Sequence, residues 1–171
     1  MLVDLSGILK SNGAKIDINT SILLPDTDFL GEMFSFNKPV CVKGSIFNDG
    51  ETLEFNANIK GSTNVVCSRC LAPLEYEFDF DFTEYLKQQD GMTDVDDESD
   101  IILFSGNSID ISDIILNNFL TGMPGKYLCS ESCKGVCPDC GANLNVEQCS
   151  CNKDNIDPRF AVLKELLKND D

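Results

Sequence analysis

Histidine is missing altogether from this chain of 171 residues. Its absence excludes a Ser-His-Asp triad and the His-ligated open zinc site of ordinary metallohydrolases. Positive charge is scarce too: 13 Lys and Arg stand against 29 Asp and Glu, a formal net charge of −16. Such a field repels a phosphate backbone, which disfavours autonomous nucleic-acid binding unless the few cations gather in one patch. A basic protein is the more natural direct partner. No stretch approaches the roughly 18 consecutive apolar residues of a membrane span. The start, Met1-Leu2-Val3-Asp4, lacks the charged and apolar regions of an export signal. A cytoplasmic protein with no membrane attachment is expected. Also missing are a phosphate-binding G-x-x-x-x-G-K-[ST] loop, a dinucleotide G-x-G-x-x-G turn and a G-x-S-x-G elbow. The expectation is therefore no enzyme and no small-molecule substrate.

What the chain has in quantity is cysteine, nine residues in all. Without an export signal, a reducing compartment argues against a disulfide framework and for metal ligation. Cys67-Ser68-Arg69-Cys70 has the two-residue gap that lets both sulfurs of a tight knuckle reach one ion at about 2.3 Å. Six further thiols, Cys129, Cys133, Cys137, Cys140, Cys149 and Cys151, fall within 23 residues. In Cys137-Pro138-Asp139-Cys140-Gly141, proline stiffens the turn and glycine lets backbone N–H groups approach the sulfurs. The stretch from Cys129 to Cys151 has too few apolar side chains to build a core of its own, so a metal must supply what hydrocarbon cannot.

The expected cofactor is structural zinc, one ion or two. The partition into two sites is Cys67, Cys70, Cys129 and Cys133 for one, and Cys137, Cys140, Cys149 and Cys151 for the other. Its rival is one ion on four of the six C-terminal cysteines. Four sulfurs close a tetrahedron and leave no position for substrate or activated water. A thiol-redox role for Cys67 and Cys70 would need a lowered thiolate pKa and usually a βαβ setting, whereas strand-like residues flank this pair. Cys41 lies in an alternating apolar run and reads as a small buried hydrophobe.

Fold class follows from pattern. Over the first 85 residues, short alternating apolar runs read as strands, with Asn48-Asp49-Gly50 as a hairpin turn and a second turn near Gly61. From Leu74 to Phe82, acidic and apolar residues alternate strictly, one face inward and one outward. Residues 88–100 are acidic and nearly free of apolar side chains, which suggests a mobile loop; they lack the glycine and terminal glutamate spacing of a calcium loop. Residues 101–104 suggest a short buried strand. Asp110 or Ser112 caps a helix near residues 111–121 that presents Ile111, Ile114, Ile115 and Phe119 to the core. A second helix opens at Asp157-Pro158, with Phe160, Leu163, Leu166 and Leu167 along one side. The expectation is an α+β protein: an antiparallel β-sheet or partial barrel with a packed helix, then a C-terminal cysteine-rich zinc knuckle plus helix. Its domains are a β-rich body over residues 1–125 and a zinc-binding segment with the terminal helix over 126–171.

In order, the segments from Val66 to Pro73, Gly122-Met123-Pro124, the run from Cys133 to Asn145, Cys149-Ser150-Cys151, and Asp157-Pro158-Arg159-Phe160 resemble the YceD family of large ribosomal RNA subunit accumulation proteins. The resemblance covers most of the chain. It implies a bacterial, noncatalytic ribosome-biogenesis factor that supports accumulation, processing or assembly of large-subunit (23S) ribosomal RNA. Implied partners are pre-ribosomal large-subunit RNA, a basic ribosomal protein, or both. Arg69, Lys126, Lys134, Lys153 and Arg159 lie in or near the cysteine region and are the candidate contacts. Arg69, between two ligands, also suits neutralising the thiolates. The competing readings are a thiol redox protein and an acidic chaperone for a basic ribosomal protein.

Overall fold

The computed structural model describes residues 1–89 and 101–151. Its elements are β1 (Leu2–Asp4), β2 (Lys15–Ile22), β3 (Thr27–Phe29), β4 (Glu32–Phe34), β5 (Val40–Asn48), β6 (Leu53–Val66), β7 (Pro73–Gln88), β8 (Ile101–Phe104), β9 (Ser108–Asp110) and α1 (Ile111–Gly122). The main sheet has five strands in the order β2-β5-β6-β7-β8, with two small pairs, β1-β9 and β3-β4, beside it. The chain is mostly β rather than an even α+β mixture, because α1 is the one helix among the described residues. Among the described residues the sheet is open, with β2 and β8 at its edges, and forms no closed barrel. It is also mixed: β8 runs parallel to β7 through Tyr85↔Ile101 and Gln88↔Phe104.

Period-two alternation builds the core. Along β6, Leu53, Phe55, Ala57, Ile59, Thr63 and Val65 point inward. Along β7, Phe78, Phe82 and Leu86 do so, while Glu75, Glu77, Asp79 and Asp81 face out. On that outer face Lys60 pairs with Asp79 at 2.8 Å and Lys38 with Glu75 at 2.8 Å, contacts of small net worth because both partners are exposed. Helix α1 closes the inner face with Ile111, Ile114, Ile115 and Phe119. Asp110 rather than Ser112 is its N-cap, accepting the Ser112 N–H at 2.9 Å. The Met1 ammonium lies 2.6 Å from the same carboxylate, and that hydrogen bond, with the Ser112 backbone N–H, draws the Asp110 pKa down to about 2. Phe119 meets Phe34, Phe36 and Phe78 edge-on at centroid distances of 5.3, 4.9 and 4.9 Å.

Three local expectations are corrected. Gly61 makes no turn; it sits inside β6 opposite Phe78. A Cβ there would lie 3.0 Å from Phe78 Cζ and 3.3 Å from Val40 Cγ2, so the glycine leaves room for that ring. Cys41 is exposed rather than buried: Val40 and Val42 take the inward register of β5, and alternation turns the residue between them outward, beside Ser21 Oγ at 3.8 Å. Strand β7 continues through Gln88, past the expected start of the acidic loop, because Leu86 is fully buried and β8 pairs with its end. The rest of that loop, from residue 90 to 100, and the expected terminal helix lie outside the described residues. Residues 101–103 of the expected buried strand are half-buried, in keeping with an edge position.

The hairpin turn at residues 48–50 does join β5 to β6. Asn48 anchors it: its Nδ2 donates to Ile8 O at 2.7 Å and its Oδ1 accepts the Gly50 N–H at 2.8 Å. The N-terminal segment is thereby fixed across the end of the sheet, with Leu5 and Ile8 buried beneath it.

Candidate metal centres

The long β6–β7 hairpin ends in the first knuckle, residues 67–70. The Cys67 N–H donates to Ala72 O at 2.8 Å and the Leu71 N–H to Cys67 O at 2.9 Å. The second knuckle repeats this geometry: the Cys137 N–H donates to Ala142 O at 2.8 Å and the Gly141 N–H to Cys137 O at 2.9 Å. In both, the residue after the second cysteine is left-handed, Leu71 at φ 59° and Gly141 at φ 74°. Glycine takes that conformation freely, whereas leucine bears about 1–2 kcal/mol of strain. Leu71 is 65% exposed and packs little. Leu71→Gly should accordingly stabilise the protein by a net ~0.5–1 kcal/mol after glycine's added chain entropy, read as a rise in Tm.

The eight sulfurs gather in two groups of four, Cys67, Cys70, Cys129 and Cys133, and Cys137, Cys140, Cys149 and Cys151. Within each group all sulfurs lie inside 4.8 Å of one another. Cys67 Sγ is 3.8 Å from Cys133 Sγ, and Cys70 Sγ 3.6 Å from Cys129 Sγ. A tetrahedron with zinc–sulfur bonds of about 2.3 Å has edges of about 3.8 Å, so the donor set fits the ion. In the second group Cys149 and Cys137 are 3.3 Å apart, closer than that edge but far beyond a disulfide bond. No pair among the nine cysteines is bridged.

The two groups differ in shelter. Cys67, Cys70 and Cys133 are buried and pack with Ala72, Leu74 and Leu128. In the second group Cys137 is buried, Cys140 is exposed, and Cys149 and Cys151 are half-buried. Tyr127 joins the first group to the sheet core: its N–H donates to Ser68 Oγ at 3.0 Å, its carbonyl accepts the Ser68 N–H at 2.8 Å, and its ring is buried against Tyr76 and Phe34.

Backbone amides prepare both groups for anionic sulfur. N–H groups of Cys129, Cys70 and Arg69 lower the Cys67 pKa to about 6, against the opposing effect of burial. Those of Cys140 and Asp139, helped by the Cys149 thiol, lower that of Cys137 to about 7. Burial raises the Cys133 pKa, but the Asn145 side chain and the Gly135 N–H outweigh it and the net shift is downward. Cys129, hydrogen-bonded to Cys133 and Cys70, is held up at about 12, as is Cys151 by Cys149 and Cys140. In the metal-free form each group thus combines ready thiolates with thiols that an incoming ion must deprotonate. The sign follows: protons compete with metal, so affinity falls as pH falls. Lowering the pH from about 8 to about 5 should release metal from both groups as their thiolates are protonated, and metal transfer to a chelator across that range reads the loss.

Arg69 is exposed, yet its Nη1 donates to Cys133 O at 3.0 Å and Glu131 O at 3.2 Å, tying the two ligand loops of the first group together. Lys126 and Lys134 are exposed and form no ion pair among the described residues. Lys153 and Arg159 lie outside the described residues. Sequence reasoning missed Asn145, whose Nδ2 donates to Cys133 Sγ at 3.3 Å, and the anchoring role of Tyr127 and Ser68. Asn145 was visible as the end of the C-terminal motif, but spacing carries no sign of which sulfur it reaches.

Residues 55–167 match the family described as Large ribosomal RNA subunit accumulation protein YceD. The chain belongs to the YceD family. All eight clustered cysteines fall inside the span shared with the YceD family. An uncharacterised protein of Bacillus subtilis, YlbN, is 32% identical over 134 residues, 78% of this chain and 77% of its own length. An uncharacterised protein of Mycobacterium tuberculosis strain H37Rv is 32% identical over 102 residues, 59% of this chain and 49% of its own length. The Arabidopsis thaliana chloroplastic protein named Large ribosomal RNA subunit accumulation protein YCED homolog 1 is 41% identical over 39 residues, 23% of this chain and 12% of that protein. No solved structure is significantly similar. No helix among the described residues is long and apolar enough to cross a membrane.

Proposed function

We propose that this protein is a noncatalytic, cytoplasmic ribosome-biogenesis factor that supports accumulation of large-subunit (23S) ribosomal RNA, with structural zinc at two four-cysteine centres. The observation that carries the reading is the coincidence of the family match with the two close sets of four sulfurs. The family's name supplies the ribosomal RNA role; the donor set supplies the metal. Iron also accepts four thiolates, and metal analysis with visible absorption separates the two ions. Closed ligation favours a passive part for the metal: it holds the knuckles as a rigid surface and offers no position to a substrate.

The proposed domains are the β-rich body, residues 1–125, and the metal-binding segment from 126 onward. The proposed partner is pre-ribosomal large-subunit RNA, a basic ribosomal protein, or both. Lys126 and Lys134 are the proposed contacts among the described residues, since both are exposed beside the centres. Arg69 is better occupied in bridging carbonyls than in reaching a partner. Deleting the gene should lower mature large-subunit RNA relative to small-subunit RNA, and the protein should sediment with pre-large-subunit particles. Unchanged RNA ratios together with absence from those particles would remove the proposal. Alkylation tests the redox alternative: metal-locked thiols resist the reagent until a chelator is added, whereas working redox thiols react in the native protein.

A further inference from the structure

The two sulfur groups are joined through a single short hairpin. One arm runs through Gly135, Val136 and Cys137, and the other returns through Ala142, Asn143 and Leu144. The arms are held by Cys137 N–H to Ala142 O at 2.8 Å, Leu144 N–H to Gly135 O at 2.9 Å and a Val136↔Asn143 bridge. Cys137 and Cys140, ligands of the second group, clamp its tip. At its base, Asn145 turns back on the first group: Nδ2 donates to Cys133 Sγ at 3.3 Å and Oδ1 accepts the Lys134 N–H at 2.8 Å. The Val136 N–H donates to Arg69 O at 3.0 Å, fastening the same hairpin to the first knuckle.

We infer that the two centres form one cooperative unit, in which metal at the second, outer group holds the hairpin so that Asn145 donates to Cys133 and secures metal at the first, inner group. The inference rests on the metal reading above. Its physical basis is simple: a two-stranded hairpin this small has marginal stability without its clamp. Hydrogen bonds from neighbours to ligating sulfur are worth about 10- to 100-fold in metal affinity. Asn145 is a positioning residue, acting on the ion through Cys133. Each group has one exposed cysteine, Cys129 or Cys140, but the outer group has one buried ligand against three in the inner group, so metal leaves it first.

The test uses the full-length metal-loaded protein and three variants, with metal counted by native mass spectrometry and release to a chelator followed in time. Asn145→Asp keeps an oxygen for the Lys134 N–H but loses the donor to sulfur. It should retain two ions and release the inner one about 10- to 100-fold faster. Cys140→Ser with Cys151→Ser removes the outer centre and should accelerate inner release to a similar degree. Adding Asn145→Asp to that pair should then change little, the non-additivity expected of residues acting in one chain of contacts. In cadmium-substituted protein the resonance of the inner centre should shift in Asn145→Asp while the outer one stays, which a merely structural role would not produce. Inner release at the wild-type rate in either variant, or independent multiplication of the two effects, overturns the coupling while leaving two zinc centres intact. Wild-type protein with no bound metal overturns the metal reading and the coupling with it.

Discussion

Cys67→Ser should lower the bound metal from two ions to one and leave the segment around residues 126–137 open to protease. Cys67 is fully buried at the turn end of the β6–β7 hairpin, and its sulfur lies 3.8 Å from Cys133 Sγ and accepts the Cys129 N–H at 3.4 Å. One atom thus joins the sheet to both C-terminal ligand loops of the inner centre. Serine offers a hard oxygen that stays protonated at neutral pH, a poor exchange for thiolate on zinc. The segment it holds has few apolar contacts of its own besides Tyr127 and Leu128, so it has little else to keep it ordered. Native mass spectrometry reads the metal and limited proteolysis the opening. Cys41→Ser is the control: that thiol is exposed and belongs to neither group, so metal content should stay at two.

Phe119→Ala should have the largest effect on the body. The ring is fully buried and touches Phe34, Phe36 and Phe78, so it joins α1 to β4, to the segment leading into β5 and to the long strand β7. Truncation leaves a void that three aromatic neighbours cannot fill by small shifts, at a cost of about 3–5 kcal/mol. Against a total stability of about 5–15 kcal/mol that is a large fraction, visible as a fall in Tm of roughly 10 °C. Phe119→Leu, which keeps most of the volume, should cost much less. Equal losses for the two variants, measured by chemical denaturation, would show that the ring is not filling space in this way.

The grouping of the cysteines was legible because ligand spacing is short and fixed: two-residue gaps at residues 67–70 and 137–140 are the spacing of knuckles whatever surrounds them. Strict alternation along β7 was legible for the same kind of reason, since each acidic residue names the outward face and each aromatic the inward one. Cys41 was misread because a small sulfur side chain suits either face, and register alone decides which. Gly61 was misread as a turn because glycine marks both turns and close approaches, and the ring of Phe78 that needs the space lies 17 residues away in sequence. The helix at residues 111–122 was legible from its apolar spacing and its Asp110 cap, whereas the parallel pairing of β8 was out of reach for pattern reading, which finds elements without ordering them. The functional class rested on resemblance, and the family match over residues 55–167 carries it further than any spacing could.

By itself the sequence determined that this chain is acidic, without histidine, rich in strands, and equipped with thiols at ligand spacing. These are properties of composition and of short-range period, and no tertiary contact is needed to state them. Tertiary structure decided what depends on contacts between distant residues. It closed the β6–β7 hairpin so that Cys67 and Cys70 meet Cys129 and Cys133, gave Arg69 to two carbonyls, and set Asn145 against a sulfur of the neighbouring group. Spacing says which side chains are able to share an ion; only the fold brings them within 4.8 Å of one another.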